Sequence, residues 1–187
     1  RLFWPTSPIE AFEANPVLAE RLERRMLGDA ALHVRPFGLS DREGAFTLYL
    51  PRYRGWAFDG LASTDREAAV GWLRAETIAG FDPALLEVDE IEVELRRLDD
   101  LGLAPVFVKI DVQGLEAAVL EGGRQTLTEH RPLLLVERGV ALPAFLDDLG
   151  YSAYAWREGR LSPTLGDAIN ALYATPDHLQ RIAETGR

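Results

Sequence analysis

The residues with the clearest chemical potential are Lys109 and Asp111, two positions apart in the segment Val106-Phe107-Val108-Lys109-Ile110-Asp111. Because side chains alternate along a strand, both would lie on the same face. An ammonium group can set the charge of a neighbouring carboxylate, which can then orient a hydroxyl group or remove its proton. Lys109 is also the only lysine in the chain. We predict a functional pair, with a purely structural ion pair as the alternative.

The segment around this pair predicts the element that positions it. Residues 106–112 are predicted to form a strand buried on both faces, as in a parallel sheet, and a helical pattern follows Gly114. Charged groups at the carboxyl end of such a strand lie where open α/β sheets bind ligands. Residues 133–137 predict another buried strand, which ends at Glu137. This acid is a second candidate for contact with a substrate.

Polar residues also follow two predicted strands near the start of the chain. Residues 9–13 form the first strand, which ends at Glu13, and Asn15-Pro16 is a good helix start because asparagine caps and proline suits the first helical position. Residues 32–37 form the second strand, and the loop beyond it contains Ser40 and Asp41. A plain turn explains the serine and aspartate nearly as well as a binding role.

The middle of the chain, about residues 46–98, is predicted to be an insertion in an otherwise parallel sheet. Residues 90–96 alternate strictly between apolar and charged side chains, which indicates a half-exposed strand antiparallel to residues 45–50. Between these strands, Thr64 and Glu67 form a capping-box pair, which predicts a helix that ends near Gly80.

The pattern of elements favours a three-layer α/β fold, because strands and helices alternate along most of the chain. Residues 151–156 and 170–174 are expected to form a final antiparallel strand pair. At 187 residues, the chain fits one domain with a buried core.

Composition narrows the classes of function. The net charge of −10 comes without a basic stripe and argues against a nucleic-acid partner. Absence of cysteine excludes disulfides and thiolate catalysis. No segment has the length of a membrane helix or the pattern of a signal peptide, so we expect a cytoplasmic protein without a membrane partner. The sequence allows a homo-oligomer, and the excess of arginine over lysine suggests a genome rich in G and C, as in many bacteria.

Several segments, in this order, resemble the FkbM-type methyltransferases, which use S-adenosyl-L-methionine (SAM). The most specific is Lys109-Ile110-Asp111-Val112-Gln113-Gly114-Leu115-Glu116. The other segments that carry the resemblance are Ala11-Phe12-Glu13-Ala14-Asn15-Pro16, Leu39-Ser40-Asp41, Leu98-Asp99-Asp100-Leu101, Arg131-Pro132 with Leu135-Val136-Glu137, and Gly150-Tyr151. The resemblance therefore runs from about Ile9 towards the end of the chain.

The resemblance implies a Rossmann-like class I methyltransferase fold: a three-layer sandwich with a mostly parallel sheet, the inserted hairpin and helix, and the antiparallel C-terminal strand pair. It implies one methyltransferase-like domain over residues 1–187 that transfers a methyl group from SAM to a hydroxyl of a small molecule or sugar. The residues implied to bind SAM are Glu13, Ser40, Asp41 and Asp111. Those implied to act in catalysis are Asp111, Lys109 and Glu137. Two acids are too few to predict a metal site.

Two features differ from the family pattern. The family carries a glycine-rich loop upstream of the acidic strand end, whereas residues 1–8 contain no glycine. Such a loop lets the backbone approach the amino-acid part of the cofactor, so we expect an N-terminally incomplete chain or a degenerate member of the family. Gln113 replaces the usual glutamate, and an amide cannot take up a proton.

These differences keep two alternatives open. One is a catalytically degenerate domain that retains the sheet as a binding or assembly module. The other is an NAD-dependent oxidoreductase, because an acid after a strand also suits a nicotinamide cofactor.

Overall fold

The computed structural model describes residues 7–112, 114–138, 141–157 and 159–185. The chain forms a mixed α/β fold that divides into two compact units, Arg1–Arg96 and Arg97–Arg187. The expected single domain with an insertion over residues 46–98 stays a prediction. Within the described residues, no helix is long and apolar enough to cross a membrane.

The first unit contains two sheets and two α-helices. Its elements are β1 (Ile9–Phe12), α1 (Pro16–Arg25), β2 (Leu32–Arg35), β3 (Gly38–Leu39), β4 (Gly44–Tyr53), β5 (Trp56–Ala57), α2 (Arg66–Val70) and β6 (Leu86–Arg96). β1 and β2 pair in parallel, and the second sheet has the order β3-β6-β4-β5. The predicted strands at the start of the chain are therefore confirmed.

The start of α1 follows the sequence prediction closely. Asn15 is the N-cap, and its side-chain oxygen accepts from the backbone N–H groups of Val17 and Leu18. Pro16 occupies the first helical position, where its missing N–H has no intrahelical partner to lose. Because the cap satisfies otherwise unpaired N–H groups, it fixes where β1 ends and α1 begins.

The long hairpin of the first unit also agrees with the prediction in type but not in length. β4 and β6 are antiparallel from the pair Gly44–Leu95 to the pair Tyr53–Leu86. The predicted helix between them is much shorter than expected. The N-cap is Asp65, not Thr64, and α2 already ends at Val70, with Gly71 as its C-cap. Glycine lowers helix stability by about 1 kcal/mol relative to alanine, which accounts for the early end.

The second unit is built around one five-stranded sheet. Its elements are β7 (Phe107–Ile110), α3 (Glu116–Gly122), α4 (Arg124–His130), β8 (Leu133–Glu137), α5 (Phe145–Asp148), β9 (Ser152–Arg157), β10 (Arg160–Ser162), β11 (Asn170–Ala174) and α6 (Pro176–Thr185). The strand order is β10-β9-β11-β8-β7. β7 and β8 are parallel, and β11 is antiparallel to both of its neighbours, so the predicted C-terminal antiparallel pair is confirmed.

The sheets of the described residues are mixed, not mostly parallel. Parallel pairing joins β1 to β2, β3 to β6 and β7 to β8, whereas the remaining strand pairs are antiparallel. The mostly parallel sheet is therefore not confirmed, and the three-layer Rossmann-like sandwich stays a prediction. The hairpin of β4 and β6 accounts for much of the antiparallel pairing in the first unit.

The Leu98-Asp99-Asp100-Leu101 segment has a structural role in the second unit. The Asp99 carboxylate accepts from the backbone N–H of Gln125 at 3.2 Å and of Thr126 at 2.8 Å. These N–H groups lie in the first turn of α4, which lacks a side-chain cap of its own at Gly123. Asp99 therefore caps α4 from a distant position in the sequence, and Arg97 pairs with it at 3.3 Å.

Candidate functional site

The first candidate residue lies directly beyond β1. Glu13 Oε1 accepts the backbone N–H of Asn15 at 2.8 Å, so one oxygen supports the start of α1. Burial raises the pKa of the Glu13 carboxyl above its ordinary range, and the charge of Asp59 raises it further. Within the described residues, no hydrogen-bond donor reaches Oε2. This oxygen is able to accept a hydrogen bond, and the binding role of Glu13 stays a prediction.

A close approach of backbone brings the β1 end and the β3 strand together. A Cβ atom at Gly38 would lie 3.2 Å from Cβ of Ala14 and 2.5 Å from a methyl carbon of Leu95. Only glycine fits between these two neighbours without a shift. The loop that carries Glu13 therefore packs against the strand that leads to Ser40 and Asp41.

Ser40 and Asp41 have different surroundings, although they are adjacent. Ser40 is buried, its N–H donates to Arg96 O at 2.9 Å, and its hydroxyl donates to Asp41 Oδ1 at 3.1 Å. Asp41 is exposed. Ser40 thus orients the Asp41 carboxylate, which is the group of this pair available to a ligand.

In the second unit, Lys109 and Asp111 form the predicted ion pair. Lys109 Nζ lies 2.8 Å from Asp111 Oδ2. The prediction that this strand is buried on both faces is wrong, since 52% of the Lys109 side chain and 41% of the Asp111 side chain are exposed. Within the described residues β7 pairs only with β8, and the side chains of the ion pair are partly exposed. An open pair can meet a ligand directly.

Glu116 is the residue that the sequence did not identify as part of the site. Its side chain is fully buried, and Oε1 accepts the backbone N–H of Val112 at 3.1 Å. Gly114 N–H donates to the same carboxylate, at 3.1 Å from Oε2. The carboxylate therefore holds the loop that directly follows Asp111. A glutamate shortly after a strand–glycine boundary is the only signal of this role in the sequence.

Glu137 ends the strand beside β7. The register pairs Ile110 with Val136, so Asp111 and Glu137 occupy adjacent positions, each one residue further along its strand. Since side chains alternate in both strands, the two acids lie on the same face, together with Lys109. The second unit thus brings together all three predicted catalytic residues.

Other observations limit the site. Gln113 lies outside the described residues. Within the described part of the chain, no three histidine or acidic side chains gather into a group that could hold a metal ion.

Two shallow surface grooves are present, and none of the predicted site residues lines either one. The first groove is lined by Arg97, Asp99, Glu121, Arg124, Gln125, Thr128 and Glu129. The second is lined by Arg157, Arg160, Leu161, Ser162 and Pro163.

The sequence is similar to known methyltransferases. The sequence matches the family described as "Methyltransferase FkbM domain" over residues 7–153, which is most of the chain. A curated relative, "2-O-methyltransferase NoeI" of Sinorhizobium fredii, is 29% identical over 138 residues. That match covers 68% of this chain and 52% of the relative, so the chain spans about half of the relative's length.

A solved structure is also similar. It is the crystal structure of Methyltransferase FkbM from Methylobacillus flagellatus, with 17% identity and a TM-score of 0.46. The similarity covers 89% of this chain and 36% of that chain. The family match over residues 7–153 includes both Glu13 and the segment from Lys109 to Glu116, and on this evidence the chain belongs to the FkbM methyltransferase domain family.

Proposed function

We propose that the protein is a SAM-dependent O-methyltransferase that acts on a hydroxyl group. The observation that carries the proposal is the Lys109–Asp111 pair at the end of β7, inside a family match over residues 7–153. The name of the relative, "2-O-methyltransferase NoeI", supports oxygen as the atom that is methylated.

The residues beyond β1 and β3 fit the nucleoside part of SAM. A carboxylate with one oxygen held by Asn15 and the other without a described donor suits ribose hydroxyls, and Glu13 is such a group. Asp41, oriented by Ser40, is a second exposed acceptor in the same unit. When bound, SAM supplies a methyl group on a positively charged sulfur, which is already a strong electrophile.

Because the donor is reactive, the protein has to align the acceptor and remove one proton. Asp111 is our choice for the base or for the group that orients the hydroxyl, since its carboxylate is partly exposed. Lys109 Nζ donates to Asp111 Oδ2 at 2.8 Å and so fixes the orientation of this carboxylate. Glu137, on the same face, is proposed to contact the acceptor.

The test is calorimetric titration of the protein with S-adenosylhomocysteine, the product that SAM leaves after methyl transfer. We expect saturable binding that a Glu13→Ala variant loses, whereas the exposed-surface control Glu20→Ala retains it. Absence of binding to the wild-type protein would overturn the proposal and favour a non-catalytic binding module.

A further inference from the structure

We propose that Glu116 is a positioning residue for methyl transfer, because its buried carboxylate fixes the backbone next to Asp111 and so sets where the Asp111 side chain meets the acceptor. This inference rests on the proposed function and deepens it, since it concerns the same site. Glu116 acts through Asp111, and its own side chain is buried away from any ligand.

The burial of Glu116 is the first observation. Its side chain is 0% exposed. A carboxylate is almost never fully buried unless other groups compensate for the loss of water. Within the described residues, no arginine, lysine or histidine forms an ion pair with it. The compensation therefore comes from hydrogen bonds, and the backbone that donates them is held in return.

The donors identify what Glu116 holds. α3 begins at Glu116, and an acid that caps a helix accepts from N–H groups in the turn that follows. The described donors are instead the N–H groups of Val112 and Gly114, which precede the helix. α3 itself is fixed in the core by Val119 and Leu120, which are buried. Glu116 thus ties the preceding backbone to a packed helix.

One of these donors belongs to the peptide group that joins Asp111 to Val112. The N–H of Val112 and the carbonyl of Asp111 lie in one planar unit, so the hydrogen bond to Glu116 Oε1 at 3.1 Å fixes the orientation of the whole unit. On the other side of Asp111, Ile110 pairs with Val136 in the sheet and is buried. The backbone of Asp111 is therefore held from both sides.

A turn at Gly114 brings the second donor to the same carboxylate. Gly114 has a φ of +101°, a conformation that other residues rarely adopt. Its N–H lies 3.1 Å from Glu116 Oε2. An amide in place of the carboxylate would set an NH2 group against one of the backbone donors. The arrangement therefore requires both oxygens of Glu116.

The position of Asp111 matters because a displacement of about 1 Å in a catalytic group can lower a rate by roughly 10²-fold. Lys109 Nζ holds the outer end of the Asp111 side chain at 2.8 Å, and Glu116 holds the adjoining backbone. We expect loss of the backbone contact to shift Asp111 relative to Lys109. The environment of the Lys109 ammonium group is therefore a direct measure of the role of Glu116.

The experiment uses Lys109 as a spectroscopic reporter. Because it is the only lysine, protein grown with lysine isotopically labelled at Cε gives an NMR signal from this side chain alone. Asp111→Asn supplies the signal of Lys109 without its charged partner. We expect Glu116→Gln to move the wild-type signal most of the way to that value. The matched control Glu121→Gln, on the same helix, should leave the signal unchanged.

A second variant covers the case in which Glu116→Gln does not fold. Glu116→Asp keeps the charge but shortens the side chain by one methylene, so it should lose contact with the backbone donors and move the Lys109 signal in the same direction. Unfolding of both variants would assign Glu116 to folding of the unit alone and would overturn the inference.

Two further outcomes would overturn it. One is a wild-type Lys109 signal in a folded Glu116 variant. The other is the same signal in the wild type and in Asp111→Asn, because Asp111 would then not be held beside Lys109 in solution. Titration of the wild type with S-adenosylhomocysteine is a separate test: absence of binding contradicts the proposed function, whereas the Lys109 signal decides only the positioning role.

Discussion

The backbone N–H of Gly114 donates to both carboxylate oxygens of Glu116, at 3.3 Å and 3.1 Å. The same carboxylate accepts from Val112, so a single buried side chain closes the loop that follows Asp111. A buried acceptor that satisfies two backbone donors is costly to lose, because both donors would remain desolvated. The loop therefore depends on the charge and shape of one residue.

Glu116→Gln is expected to lower the free energy of unfolding by about 1–3 kcal/mol, because an NH2 group would replace an oxygen that accepts. Denaturant unfolding measures this change. The matched control is Glu121→Gln, which removes an exposed carboxylate paired with Arg124 and should cost less than about 1 kcal/mol. Equal losses in the two variants would contradict the role assigned to Glu116.

Asp111→Asn is expected to lower the turnover of methyl transfer by roughly 10²-fold or more, the range for loss of a general base. The affinity for S-adenosylhomocysteine should change much less, which separates the catalytic role of Asp111 from a cofactor-binding one. Asp148→Asn, at an exposed acid in α5, serves as the control. Unchanged turnover in Asp111→Asn would remove this residue from catalysis.

Because Lys109 is the only lysine, an amine-directed acetylating reagent modifies one side chain per protein. Acetylation removes the charge that pairs with Asp111, so we expect loss of methyl transfer. Stability should change by less than about 1 kcal/mol, since the ion pair is partly exposed. The Lys109→Arg variant keeps the charge and should resist the reagent. Equal inactivation of this variant would assign the effect to the α-amino group instead.

Because the pKa of Glu13 is raised in the folded protein, the stability of the protein is expected to change with pH in a definite direction. In the folded protein this carboxyl holds its proton to a higher pH than in the unfolded chain, whose value is near 4.5. Stability therefore falls as pH rises from about 4.5 through the raised pKa of the folded state. Glu13→Gln removes this cost, so at neutral pH the variant should be at least as stable as the wild type in thermal unfolding.

Ionisation of the Glu13 carboxyl group should also control the affinity for the cofactor. Only the ionised Glu13 carboxylate can accept both ribose hydroxyls, so wild-type affinity for S-adenosylhomocysteine should weaken as pH falls from neutral towards 5. Calorimetry across this range measures the effect. The Glu13→Gln variant should bind weakly at every pH. A wild-type affinity that does not change with pH would argue against contact between Glu13 and the cofactor.

Local signals in the sequence predicted much of the fold. The Asn15 cap, the antiparallel pairing of β4 with β6, and the antiparallel strands β9 and β11 all agree with the structure. Each depends on short-range chemistry: a side chain that caps its own helix, or strict alternation that sets one face towards the core. The Lys109–Asp111 pair was predictable for the same reason, since residues two apart in a strand share a face.

Properties that depend on distant neighbours were not predictable. The apolar run around Lys109 indicated burial, but burial of β7 depends on which strands lie beside it. In the middle segment, Thr64, Asp65 and Glu67 offer competing caps, and only the chain path selects Asp65. The role of Glu116 in the loop after Asp111 was not predicted, because a sequence does not show which backbone N–H groups turn inward.

Within the described residues β7 has a hydrogen-bonded neighbour on one side only, and this has a practical consequence for producing the protein. Val106 is 83% exposed and precedes a strand whose described partner lies on one side only. An apolar strand edge of this kind is a template for aggregation when chains are concentrated. A charged replacement at Val106, which is exposed and lies three residues before Lys109, is therefore a suitable first change when soluble yield is low.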